Sequence, residues 1–262
     1  MAKIISFISG KGGVGTSHLA SAAAMQFASA GKKCLFIDYA FGSRSDDIIL
    51  NLTSRVLYNI SDVLEGKCKV KDAIVISDED NLPDFIASSP ALYPENQMVN
   101  FKKNVRELSA EYDFIVFDIN TMYARGIDVC IGLSDILTAV TTEDYLSVRN
   151  TALCVRHALD INCKAEAYLC INKVLSTVDA SGVCAEDIID EIGAALIGII
   201  PFDPSVSDGQ GIRPQSENEP FEDAVKRICI RLSGMNTPLP KKFTGRKFFG
   251  RNKIAKGQIG GY

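Results

Sequence analysis

The residues best suited to do chemistry stand near the start of the chain. Glycines 10, 12, 13 and 15 fall in the run "GKGGVGTS", residues 10 to 17, directly after the apolar stretch Ile4 to Ile8. Glycine accepts backbone conformations and close approaches that a Cβ forbids. The N–H groups of Gly10, Lys11, Gly12, Gly13, Val14, Gly15, Thr16 and Ser17 can therefore converge on phosphate oxygens. A helix opening at Ser17 would turn its positive end toward that anion and its hydroxyl toward a magnesium ion. Two aspartates extend the set: Asp38 ends "CLFID" and Asp118 ends "DFIVFD". An acid at the end of a buried apolar strand is costly unless it serves a cation, here the water shell of Mg2+.

These groups need a rigid frame, and the pattern of the chain supplies one. Apolar runs Ile4–Ile8, Cys34–Ile37, Asp84–Ala87, Phe114–Phe117, Ile136–Val140, Ala167–Ile171 and Leu196–Ile200 alternate with helical-period segments. The helical segments are Ser17–Ala30, Ile60–Glu65, Asn96–Glu111, Glu143–Leu159, Ala185–Ile192 and Glu219–Leu232. Strand–helix alternation with continuous Val/Ile-rich strands predicts an α/β fold, a mostly parallel twisted sheet with helices on both faces. One nucleotide-binding domain is expected over 1–236, followed by a distinct tail over 237–262 that begins at Thr237-Pro238-Leu239-Pro240.

Composition narrows the class without naming a chemistry. Hydrophobic residues make up 47% and charged residues 23% of 262, which is ordinary for a globular chain and excludes disorder. Eight cysteines are scattered with no CxxC pair, mostly inside apolar runs, and read as reduced core thiols of a cytosolic protein. No run reaches the roughly 20 apolar residues needed to span a bilayer, and the N-terminus reads as a strand followed by glycines rather than as a signal peptide. His18 and His157 are lone helical histidines that read as surface or packing residues.

The loop is sharper than a chance run of glycines because Lys11 stands near its start. K-G-G-V-G followed by two further loop residues resembles the MinD/ParA superfamily of deviant Walker A P-loop ATPases, and the MinD branch in particular. "CLFIDYAFGSRSDDIILNL" resembles that family's switch I segment, "DFIVFDINT" its Walker B strand, "TTEDYLSVRNT" the segment after the fifth strand and "GIIPFDPSV" the loop lining the base. The resemblance implies a P-loop NTPase that uses ATP and Mg2+, with Lys11 reaching across a nucleotide-sandwich homodimer to the partner's phosphates. It implies catalytic roles for Lys11, Asp38 and Asp118, magnesium at Ser17, Asp38 and Asp118, and base contacts from Asn172, Pro201 and Asp203. Cys130 lies where related iron–sulfur reductases use cysteines, but no suitable second thiol accompanies it, and it reads as a core thiol.

Three departures separate binding from turnover. The phosphate-gripping lysine expected at position 16 is Thr16; the catalytic aspartate expected two residues after Asp38 is Ala40; the Pro-Ala-Gly segment after the Walker B strand reads Asn120-Thr121-Met122. A cation about 4 Å from a phosphate charge is worth about 4 kcal/mol gross at an effective dielectric near 20. Its loss weakens nucleotide binding, while the backbone amides, helix terminus, Mg2+ and Lys11 remain. A methyl at position 40 cannot orient an attacking water, so hydrolysis is expected to be slow.

The charge is unevenly placed. Seven of the 28 basic residues lie in 241–256 with no acid, leaving 21 against 32 acids elsewhere: an acidic body near −11 and a tail of +7. "KKFTGRKFFGRNKIAK" interleaves these cations with Phe243, Phe248, Phe249 and Ile254, and resembles the membrane-targeting tail of MinD in place and composition. Each cation near an anionic leaflet is worth about 1 kcal/mol and each buried Phe or Ile about 1.5 to 3 kcal/mol. One tail is then a reversible anchor, and two tails on an ATP-bound dimer act together. The expectation is a cytoplasmic protein, peripheral to the inner face of the membrane, with a protein effector of unknown identity. Alternatives are a solvated tail, a TadZ/CpaE-like polar localisation module, and a ParA-type partition ATPase whose tail contacts DNA. The Phe-rich tail argues against DNA, and the chain's opening directly on the first strand against TadZ/CpaE, whose members typically carry an N-terminal receiver-like domain.

Overall fold

Apolar runs that cannot face water on either side stack as seven parallel strands. A computed structural model describes residues 1–40, 45–79, 81–89, 98–119, 127–175, 185–207 and 219–238. Strands β1 (Lys3–Ile8), β2 (Cys34–Asp38), β3 (Asp84–Ile86), β4 (Phe114–Ile119), β5 (Ile136–Thr141), β6 (Glu166–Val174) and β7 (Ala195–Pro201) form one sheet in the order β3-β2-β4-β1-β5-β6-β7. Every pairing between these strands is parallel, a stricter arrangement than the mostly parallel sheet the pattern predicts.

The helices α1 (Thr16–Ser29), α2 (Asp46–Ile49), α3 (Ile60–Leu64), α4 (Met98–Leu108), α5 (Ile127–Ile131), α6 (Tyr145–Ile161), α7 (Ala185–Ile192), α8 (Pro204–Ser207) and α9 (Glu219–Leu232) connect them. Successive strand residues point to opposite faces. Ile4 and Ile8, Leu35 and Ile37, and Ile115 and Phe117 join the core beneath α4, α5, α6 and α7. Ile5 and Phe7, Cys34 and Phe36, and Phe114 and Val116 join the core beneath α1 and α9. Alanines at 20, 22, 23 and 24 let α1 lie close to the sheet, with Phe27 stacked on Phe114 at 4.1 Å between ring centroids. Burying each such Leu, Ile or Phe contributes about 1.5 to 3 kcal/mol before the entropy of ordering it.

The same alternation sets the chemistry. Asp38 is in step with Cys34 and Phe36, and Asp118 with Phe114 and Val116, so both acids fall on the α1 face at the carboxyl ends of adjacent strands. They are register partners between β2 and β4. Central strand β1 is flanked by β4 and β5, so connections leave it in both directions, and the crevice at its carboxyl end is where open α/β sheets bind ligands.

Among the described residues no helix is long and apolar enough to cross a membrane. Five of the seven described cysteines, Cys34, Cys130, Cys154, Cys170 and Cys229, are buried free thiols as their surroundings predict. Cys163 departs from that reading by lying exposed, and Cys184 falls outside the described residues.

Candidate functional site

The loop from β1 to α1 is built by backbone geometry. Gly13 and Gly15 have φ of 78° and 93°, in the left-handed region that a side chain resists. A Cβ on Gly15 would also run into the Asn172 amide, and one on Gly10 into the backbone of Asn150. Gly15 is the N-cap of α1, with no side-chain cap and no acid in the first turn. The orphan N–H groups of a helix start therefore have no internal anion to satisfy them and carry the positive end of the dipole into the crevice.

A cavity of about 350 Å³ opens at that point, within the range of small-ligand sites. Lys11, Gly12, Gly13, Gly15, Thr16 and Ser17 line the cavity together with Asn172, Lys173, Pro201 and Asp203, so segments far apart in sequence meet as the spacing of motifs implies. Val14 is buried behind the loop. Asn172 Nδ2 donates to the Val14 carbonyl at 2.8 Å, and Lys173 Nζ to the Gly13 carbonyl at 2.9 Å, so the β6 end braces the loop from across the cavity. Lys173, held at φ 58°, brings a cation to the rim that sequence reading did not single out as a loop contact. His18 lines the same cavity; burial first, then the charge of Lys173, lowers its pKa and keeps it neutral.

Thr16 is 4% exposed, so its hydroxyl and methyl fill the place where a lysine would have brought charge. Lys11 sits at the mouth, its Nζ donating to Asp144 Oδ1 at 2.9 Å, with both side chains more than two-fifths exposed. Asp144 is the N-cap of α6, accepting from the Ser147 N–H and from Thr142 Oγ1. Its slight burial opposes ionisation, but the hydrogen bonds from Thr142, Lys11 and Ser147 outweigh it and hold the carboxyl below its ordinary pKa.

Beneath the loop lies an acidic floor. Ser17 Oγ donates to Asp118 Oδ2 at 2.6 Å, and the Ala40 N–H to Asp38 Oδ1 at 2.9 Å. Burial and the neighbouring Asp118 raise Asp38 to about 8, and burial raises Asp118 to about 6 against hydrogen bonds from Ser17 and Asp46. Asp46, at the start of α2, is the third member: it is wholly buried, and ligand atoms of Asp38, Asp46 and Asp118 lie within 4.8 Å of one another. Asp38 Oδ2, Asp118 Oδ1 and both Asp46 oxygens receive no hydrogen bond from the described residues, beyond a proton shared between Asp46 and Asp118. Buried carboxylate oxygens without donors are what a hard divalent cation requires, so the floor fits magnesium.

Sequence reading named Asp38, Asp118 and Ser17 and passed over Asp46. The signal available was the pair Asp46-Asp47 six and seven residues past Ala40; both are buried, but nothing local says that Asp46 is the one that joins Asp38 and Asp118. Ala40 is 1% exposed and presents only a methyl, as expected. Asn120, Thr121 and Met122 fall outside the described residues, as do 241–256. Cys130 is fully buried, its thiol pushed up by desolvation, and His157 is exposed; neither approaches the role of a ligand.

Comparison with known proteins agrees with the geometry. A family model described as "AAA domain" matches residues 2–150, more than half of the chain. The septum site-determining protein MinD of Helicobacter pylori is 26% identical over 95% of this chain and 97% of its own length. The MinC:MinD cell division protein complex of Aquifex aeolicus superposes with a TM-score of 0.78 at 28% identity, covering 91% of this chain and 98% of that one. The MinD of Pyrococcus horikoshii, solved with Mg-ADP, shares the fold at a TM-score of 0.74 and 21% identity, over 88% of this chain and 96% of its own. Loop, acidic floor and strand order thus accompany a match along nearly the whole length, and the chain belongs to the AAA-domain family within the MinD/ParA superfamily of P-loop ATPases.

Proposed function

We propose that this chain is a MinD-like nucleotide switch that binds ATP with Mg2+, dimerises around it and attaches reversibly to an anionic membrane surface, turning ATP over slowly. The observation that carries the reading is the uncapped start of α1, placed behind a left-handed glycine turn and directly above buried acids. The loop amides and helix terminus hold the phosphates. Ser17, Asp38 and Asp118 hold the cation or its water, and a bound magnesium offsets the charge on the phosphate oxygens. Asn172, Pro201 and Asp203 line the end of the cavity that would receive the base.

Lys11 is the mobile part. Its ion pair with Asp144 is a surface pair worth about 0 to 1 kcal/mol, too weak to keep it from a triphosphate. In the proposed dimer it transfers to the partner's phosphates, which ties subunit pairing to nucleotide. Two tails then act at once on the membrane, each with seven cations in 241–256. Hydrolysis is slow because Ala40 supplies no carboxylate to hold the attacking water. The named relatives set division septa, and a septum-positioning role with a protein effector is the reading carried to this chain.

Calorimetry with ATP and Mg2+, followed by co-sedimentation with anionic liposomes, tests the proposal. Micromolar to sub-millimolar binding and ATP-dependent sedimentation lost on deleting 241–262 are expected. No heat of interaction at millimolar nucleotide would end the switch, and sedimentation indifferent to the deletion would end the membrane role. Retention of the tail on duplex DNA but not on liposomes would favour a partition role instead.

A further inference from the structure

The acidic floor holds one carboxylate more than the resemblance assigns. Asp46 enters it from α2, on the segment after β2, while Asp38 and Asp118 enter from the strand ends. The three are 0–1% exposed, and none pairs with a Lys or Arg of the described residues. Asp38 accepts from the Ala40 and Asp46 N–H groups, and Asp118 from the Ser17 hydroxyl and from the Asp46 carboxyl. Asp46 meets no N–H or hydroxyl donor among the described residues, and its polar partner is the Asp118 carboxyl, with which it shares a proton. A buried carboxyl whose polar partner is another carboxyl is among the more costly arrangements a fold can retain, and Asp38 beside the pair adds to the repulsion.

We propose that Asp38, Asp46 and Asp118 form a divalent-cation site that loads without nucleotide, with Asp46 as its additional acidic ligand. This deepens the magnesium part of the proposed function and stands apart from whether ATP binds. Three carboxylates supply the anionic oxygens that Mg2+, Mn2+ or Ca2+ prefer. Ligand oxygens of all three lie within 4.8 Å of one another, close enough to share one hard divalent cation. With a methyl at Ala40 and a carboxyl at Asp46, the acidity here lies where a cation would be held and not where an attacking water would be. The loop, deprived of a lysine at Thr16, then meets a preloaded cation in place of a side-chain one.

Titration of the nucleotide-free, full-length protein with Mn2+, reading free Mn2+ by electron paramagnetic resonance, tests this. One Mn2+ per chain at sub-millimolar affinity is expected, weakened at least tenfold in Asp46→Asn. The melting temperature of the wild type should rise on replacing EDTA by Mn2+, and that of Asp46→Asn should not. In EDTA the variant should bind ATP more tightly than wild type, because one anionic repulsion is gone; this sets a lost ligand apart from a misfolded variant. Wild type that takes up no Mn2+ at 1 mM, or a variant that binds it equally, overturns the proposal. Uptake of Mn2+ by a chain that binds no ATP would sustain this inference and sink the switch.

Discussion

The phosphate loop and the acidic cluster beneath it use different physical means, the one backbone dipoles and the other side-chain charge. Residues 10 to 17 keep their backbone devices, the left-handed turns at Gly13 and Gly15 and the uncapped helix start, but lose a side-chain cation at Thr16. The acidic cluster keeps Asp38 and Asp118, has a methyl at Ala40 and includes Asp46 as a third buried carboxyl. The loop's grip comes from fixed dipoles, which no substitution at position 16 removes. The floor's affinity comes from net charge, which any cation can answer. Under the proposed function, nucleotide capture leans on the metal more than on a lysine.

The largest expected effect breaks the loop half of that contrast. Gly15→Val puts a branched side chain at φ 93° and into the Asn172 amide, so calorimetric ATP binding should be lost entirely, together with some thermal stability. Retained binding would show that the backbone turn is not what holds the phosphates. Thr16→Lys sharpens the same contrast from the other side. It should tighten ATP binding about tenfold, or about 1.4 kcal/mol, the remainder of a 4 kcal/mol gross attraction going to desolvation. Turnover should stay slow, because Ala40 is unchanged.

The floor answers to pH. Asp38 and Asp118 have folded-state pKa values raised to about 8 and about 6, chiefly by burial, so the folded state binds more protons than the unfolded one between about pH 4 and 8. A raised carboxyl contributes stability below its unfolded pKa and loses it as pH rises through the folded value. In EDTA the melting temperature should therefore fall by several degrees from pH 6 to 8.5, and Mg2+ should flatten the slope. A steeper slope with Mg2+ than without would contradict the placement of the cation. The smallest effect belongs to Lys11→Ala, which removes an exposed ion pair and should change monomer stability by less than about 1 kcal/mol. The same variant should fail to dimerise on ATP in light scattering. Equal dimerisation would remove Lys11 from the switch.

Much of this was legible in one dimension. Segments with long, unambiguous periodicity appear where expected: α7 and α9 match Ala185–Ile192 and Glu219–Leu232 residue for residue, and β1 gains only Lys3. The short helices α2, α5 and α8 carry too few turns to impose a period, and they escaped notice. The loop could be read because its conformational demands are local: only glycine sits comfortably at φ 78° and 93°, so the requirement is written at the residue itself.

Asp46 could not be read in that way. A carboxylate beside another carboxylate in "SDDII" costs little in water, and only the tertiary placement of α2 decides which of the two joins Asp38 and Asp118. The bracing of Val14 by Asn172 likewise joins positions 158 apart. Composition, periodicity and glycine spacing fixed the architecture and the phosphate loop, because dihedral preference and burial pattern are properties of short stretches. The charge balance under that loop belonged to the tertiary structure alone, because electrostatic cost depends on distance and dielectric, and neither exists until the chain has folded.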